Sequence, residues 1–154
     1  MASLFEKIIG LPLSPTRQRE EIALYLRFRE ASTMREVVNE SLSHITQKSG
    51  ALLAAQAIFV VVDTYGIEHH WPRLAVLAST LMLVLSSLIV MTNLRSTFLA
   101  SPPTIEDPAQ LELESIAQTA RLASLRGARF NIALYLTFLS IILLGFGAVE
   151  ASIA

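Results

Sequence analysis

Asp63 has the most chemistry to offer, because it stands in the run Val60-Val61-Val62-Asp63, where nearly everything before it is apolar. An ionisable side chain inside a membrane span is costly to hold there and marks a functional site by default. Helix geometry tilts its side chain toward the helix N-terminus, back into the apolar run. Two chemistries fit. One is a proton or ion site; the other is a structural pair with Arg73 across a tight hairpin, with His69 and His70 close by. Glu68, His69 and His70 together with Asp63 offer the carboxylate and imidazole donors that zinc or copper accepts. No second pair of ligands at a matching spacing accompanies them, and adjacent histidines in a turn ordinarily face water, as does the isolated His44. No metal or other cofactor is expected.

Gln56 in mid-span and Asn131 near the inner end of the last span carry amides, which in lipid hydrogen-bond between helices for about 0.6–2 kcal/mol. Gly50-x-x-x-Ala54 and Ala51-x-x-x-Ala55 make a small face on the same segment as Gln56, and Ala75, Ser79 and Ser86 make another on the second span. Such faces let helices approach closely. The first span, with Gly50, Ala51, Ala54, Ala55 and Gln56, is therefore expected at the centre of a bundle or oligomer. Gln56 should bond to a neighbouring helix or to its own copy. The last span, bulky except for Gly145 and Gly147, is expected to face lipid.

Ten of the twelve basic residues are arginine, whose planar fork suits phosphate oxygens. Arg17, Arg19, Arg27 and Arg29 form one cluster, and Arg121, Arg126 and Arg129 another. Each suits lipid head groups or a nucleotide, and equally a solvated or ion-paired helix face. The chain has no Gly-rich phosphate loop, no H-E-x-x-H, no nucleophile elbow and no pair of carboxylates on one helix face. A non-enzymatic protein is expected.

These residues need elements to position them, and composition says which. Of 154 residues 53% are hydrophobic and 16% charged, below the roughly 25% charge of soluble domains. Cysteine is absent, and 12 Lys and Arg against 13 Asp and Glu leave a net charge of -1, with no field to attract nucleic acid. The solvent for the apolar excess is a lipid bilayer. Leu74 to Leu94 is uncharged for 21 residues, about 32 Å of helix, and Phe130 to Val149 for 20. Ser49 to Val62 gives only 14 and spans by continuing through Asp63 to about Ile67.

The expected fold is all-α, an integral membrane protein with three transmembrane helices and two cytoplasmic helices. Its segments are a cytoplasmic N-terminal arm (1–47), a first span (48–67), an outer hairpin (68–73), a second span (74–94), a cytoplasmic loop (95–129) with a helix at 108–126, a third span (130–150) and a tail (151–154). Ser14-Pro15 and Asp107-Pro108 each give a capping residue followed by proline at the first helical position. No Gly or Pro separates the first of these helices from the first span, and the second can run past Gly127 into the third, so both are open to continuing into the spans. Met34, Val38, Leu42 and Ile45 make an apolar stripe at helical spacing. Eleven Lys and Arg fall in the arm, at Lys48 where the first span begins, and in the long loop, against one, Arg73, in the hairpin. The positive-inside rule then puts the N-terminus in the cytoplasm and the C-terminus outside, with Tyr65 and Trp71 at the outer interface. The first apolar stretch, broken by Glu6, Lys7 and Pro12, is not expected to act as a cleaved signal.

The order of cytoplasmic helix, Gln47-Lys48-Ser49-Gly50-Ala51-Leu52-Leu53 leading into a span, short outer hairpin, cytoplasmic helix and last span resembles the small bacterial membrane proteins of the Pycsar-effector transmembrane family. The resemblance covers residues 15–150. It implies an antiphage effector that self-associates and perturbs the inner membrane when a cyclic nucleotide arrives; the motif carries over no nucleotide-binding residue. A second class stands beside it, an accessory subunit packed against a larger membrane complex.

Overall fold

The structure, a computed structural model, describes Ala23, residues 31–94 and residues 108–153. Among the residues placed in elements there are three α-helices: α1 (Ala31–Glu68), α2 (Arg73–Leu94) and α3 (Pro108–Ile153). All three are long and apolar enough to cross a membrane. The all-helical, multi-pass reading stands on this.

Among the described residues neither cytoplasmic helix stands as an element apart from a span. The helix expected at 108–126 and the span expected from 130 are one element, because α3 runs through Gly127 without a break. An interior glycine costs only about 1 kcal/mol relative to alanine, and the long helix-forming sequence on either side outweighs it. Likewise, residues 31–47 belong to the same helix as the first span. The helix start expected at Ser14-Pro15 and the cluster Arg17, Arg19, Arg27 and Arg29 lie outside the described residues.

The described chain divides into two compact units, and both long helices contribute to each. One unit takes α1 up to Thr46 and α3 up to Ala128. Its core is Ile116 and Ala117, with Met34, Leu113 and Ala120 packed against them, and Val38 is also buried. The Met34 to Ile45 stripe thus marks the inward side of α1. Arg35 and Glu112 pair at 3.3 Å with about half of each side chain exposed, a geometry that contributes little.

The other unit takes α1 from Gln47, all of α2, and α3 from Arg129. Its outside is apolar: Ile58, Val61, Leu74, Leu81, Phe138 and Phe146 are all exposed. Its inside holds Ser49, Gln56 and Asp63 of α1, Ser79, Ser86 and Asn93 of α2, and Thr137 and Ser140 of α3, every one buried. Leu52, Val90 and Ala133 pack between these polar positions. An apolar exterior over a polar interior suits lipid, where the exterior needs no water and the interior must satisfy itself. On α1 and on α2 the polar positions recur every seven residues, the spacing that keeps one seam of a helix facing its partners. The α3 helix is no outlying lipid-facing member, since it contributes Ala133, Thr137, Ser140 and Leu144 to this interior.

Candidate functional site: a buried polar seam

At the middle of the seam, Gln56 is 1% exposed and touches both other helices. Its Nε2 donates to Ser86 Oγ at 2.6 Å and to Thr137 Oγ1 at 2.8 Å, while its Oε1 accepts from Ser87 Oγ at 2.9 Å. The two receiving hydroxyls are themselves donors to one carbonyl, Ala133 O, at 2.7 Å from Ser86 and 2.9 Å from Thr137. That commitment fixes the amide: oxygens whose hydrogens already point at Ala133 can only accept, so the NH2 of Gln56 faces them. The Ser86 and Thr137 hydroxyl oxygens also lie 3.0 Å apart, which closes the cluster. A closed network of this kind in a low-dielectric interior is rigid and specifies a single register.

Toward the α1–α2 turn, Ser79 and Ser140 share a hydrogen bond at 2.7 Å, both fully buried. Asp63, 3% exposed, meets Thr80: the Thr80 hydroxyl lies 2.9 Å from Asp63 Oδ2 and 2.9 Å from the carbonyl oxygen of Val76. The other carboxyl oxygen, Oδ1, is buried with no partner. The alternative pairing read from the sequence, Asp63 with Arg73, does not form. Arg73 opens α2 at an exposed position, seven residues and about 10 Å of helix before Thr80. Toward the opposite end Ser49 and Asn93 are fully buried, and the Ser49 hydroxyl has no partner.

The turn between α1 and α2 is built by a helix-capping motif. His70 takes the left-handed conformation at φ 55°, Trp71 N–H donates to Gly66 O at 2.9 Å and His70 N–H to Ile67 O at 3.4 Å. These are the two backbone bonds of a Schellman end, and the residue after the left-handed one folds back on the helix. Here that residue is Trp71, whose ring lies on Gly66: a Cβ at Gly66 would stand 2.7 Å from Trp71 Cε3. Tyr65 stacks on His69 at 3.7 Å and meets Trp71 edge-on at 6.2 Å. Gly66→Ala should therefore push the indole off the helix at a cost of about 1–3 kcal/mol. Trp71 is the only tryptophan, so its emission reports the movement directly; an unchanged spectrum and an unchanged melting point would contradict the packing.

The metal donors are not gathered. Among the described residues no three of His, Asp and Glu come together, because Asp63 turns inward to Thr80 while His69 stacks on Tyr65. The small face divides in two. Ala55 is half-buried, but Gly50, Ala51 and Ala54 are exposed, and a Cβ at Gly50 would meet nothing within 4 Å. Gln56 thus points into the seam while these small residues point away from it. Asn131 is partly buried, as is Arg126, and Arg121 and Arg129 are exposed on α3. Reading by residue type missed the buried serines and threonines as bonding partners, although the recurrence of polar residues at 49, 56 and 63 and at 79, 86 and 93 was present in the sequence as a signal. Comparison with family models, with curated proteins and with solved structures finds no match.

Proposed function

We propose that the chain is a multi-pass protein of the bacterial inner membrane that self-associates through α1, acting by assembly and not by catalysis. The observation that carries this reading is the exposed small face of Gly50, Ala51 and Ala54. In lipid there is no hydrophobic drive between helices, so close approach over small residues is what association has to offer. That face is left free by the chain's own packing, which uses the Ser49, Gln56 and Asp63 side of α1 instead.

The distribution of Lys and Arg supports a cytoplasmic N-terminus and an outer C-terminus. The exposed Arg121 and Arg129 suit lipid head groups at the cytoplasmic surface. The family resemblance adds a role, an antiphage effector triggered by a cyclic nucleotide, and the small face supplies the self-association that such a role needs.

The test is the native mass of the full chain in mild detergent. Wild type should run as a multiple of 16.9 kDa. The double variant Gly50→Leu, Ala54→Leu, altered only at exposed positions, should fall to the single-chain mass with its helicity intact. Leu139→Ala should leave the assembly unchanged. A wild-type protein at the single-chain mass overturns the proposal, and a mass that includes another polypeptide assigns the face to a larger membrane complex.

A further inference from the structure

We infer that the cleft beside the α1–α2 turn binds an anionic phospholipid, its phosphodiester on Arg73 and one acyl chain running down toward Thr80. The cleft measures about 720 Å³, within the range of pockets that hold small molecules. Its lining changes character along its length. His70, Trp71 and Arg73 bring nitrogen donors to the turn end, whereas Ile67, Val76 and Leu77 make the walls apolar. No acid lines it.

The donors at the turn end are uncommitted. Arg73 is exposed, and among the described residues no carboxylate pairs with it. Asp63 is turned inward to Thr80, and Glu68 and Glu150, both exposed, form no ion pair. The Trp71 ring rests on Gly66 and meets Tyr65, and no acceptor among the described residues takes its indole N–H. A guanidinium and an indole N–H that face no acceptor suit an anion, and the planar fork of arginine matches a pair of phosphate oxygens. A head group ending in a quaternary ammonium would bring a second cation against Arg73. An acidic head group such as that of phosphatidylglycerol is therefore preferred over phosphatidylcholine.

Depth along α2 matches the two parts of such a molecule. Leu74 to Leu94 is one hydrocarbon thickness of helix, so Arg73, the residue before it, stands at the level of the lipid phosphates. Thr80 lies about 10 Å further along the helix, at the level of the acyl chains, and its hydroxyl is already engaged with Asp63 and Val76. The cleft joins these two levels. Ile67 and Leu77 are exposed on the apolar exterior of the unit, the surface that lipid itself covers. A soluble anion would fill the turn end and leave the apolar walls bare. The inference rests on the chain spanning a membrane and not on its self-association.

Trp71 is the only tryptophan and lines the cleft, so its emission reports the occupant. The full-length protein is placed in nanodiscs of phosphatidylcholine and phosphatidylglycerol in equal parts, with brominated chains on one lipid or on the other. Bromine quenches an indole only at contact. Brominated phosphatidylglycerol should quench Trp71 with a preference of about tenfold, the size of one charge-assisted hydrogen bond. Arg73 is the one Lys or Arg of the turn, so Arg73→Gln should abolish the preference with helicity retained. Equal quenching of the wild type by the two lipids overturns the proposal, whether or not the variant folds. So does a preference that survives Arg73→Gln, or one that inorganic phosphate removes at constant ionic strength, which makes the cleft a site for soluble anions. Each chain carries its own Trp71, so the quenching reads the cleft whatever the native mass, and the lipid site and the assembly stand or fall separately.

Discussion

Ser86→Leu is expected to lower stability by about 2–6 kcal/mol, from an overpacking cost and a desolvation cost that act together. Ser86 is fully buried, and its oxygen sits among Gln56, Thr137 and Ala133 O at 2.6, 3.0 and 2.7 Å. No room exists there for three further carbons without moving α2 away from α3. The moved helix also strands a Gln56 N–H that lipid cannot satisfy. Ser86→Ala separates the two costs, since it keeps the space and loses one hydroxyl, for about 1 kcal/mol. Unfolding of the full chain by denaturing detergent, followed by loss of helicity, ranks the pair. Equal stability for leucine and alanine at this position would mean that the helices do not approach as described.

The second large effect belongs to Gln56. Gln56→Ala removes three hydrogen bonds to two helices and leaves a cavity, and about 2–4 kcal/mol is expected from the bonds and the void together. Gln56→Leu keeps most of the volume. Thr137 and Ser86 already donate to Ala133 O, so both survive the loss of the amide as satisfied donors, and the leucine variant should cost about half as much as the alanine variant. The order is the informative part. If leucine proves as damaging as alanine, the amide outweighs the packing, and the seam is held by its hydrogen bonds to a greater degree than in other helical membrane proteins.

Charge placement made the spans legible: uncharged runs bounded by Arg73 and Arg95 or by Arg129 and Glu150 can hardly be anything but bilayer-length helices. The inward face was less so. Attention to small residues singled out Gly50, Ala51 and Ala54, which the folded chain leaves outside, whereas the face it uses is marked by polar residues at steps of seven. The physical reason is that in lipid a small residue merely permits contact, while a buried amide or hydroxyl requires it. Asp63 stood out by its charge, but its partner could not be read from spacing. Thr80 is one hydroxyl among many, and only the hairpin geometry sets it opposite the carboxyl. The unbroken course of α3 through Gly127 was left open by the sequence, since a single glycine is weak punctuation inside forty-six residues of helix.

The short turn from Glu68 to Arg73 bears on how the protein enters its membrane. Asp63 meets Thr80 across 17 residues of chain, and Gln56 Oε1 meets Ser87 across 31. Both bonds close as soon as α2 has emerged from the ribosome behind α1, so the pair can leave the translocon as a hairpin with its most polar groups already turned toward each other. What the hairpin cannot finish alone are the bonds to α3: the second Gln56 hydrogen waits for Thr137, 81 residues downstream, the Ser86 hydroxyl for Ala133 O, and Ser79 for Ser140. During synthesis, then, a short row of unsatisfied polar groups along the hairpin marks the place that the third helix is to fill.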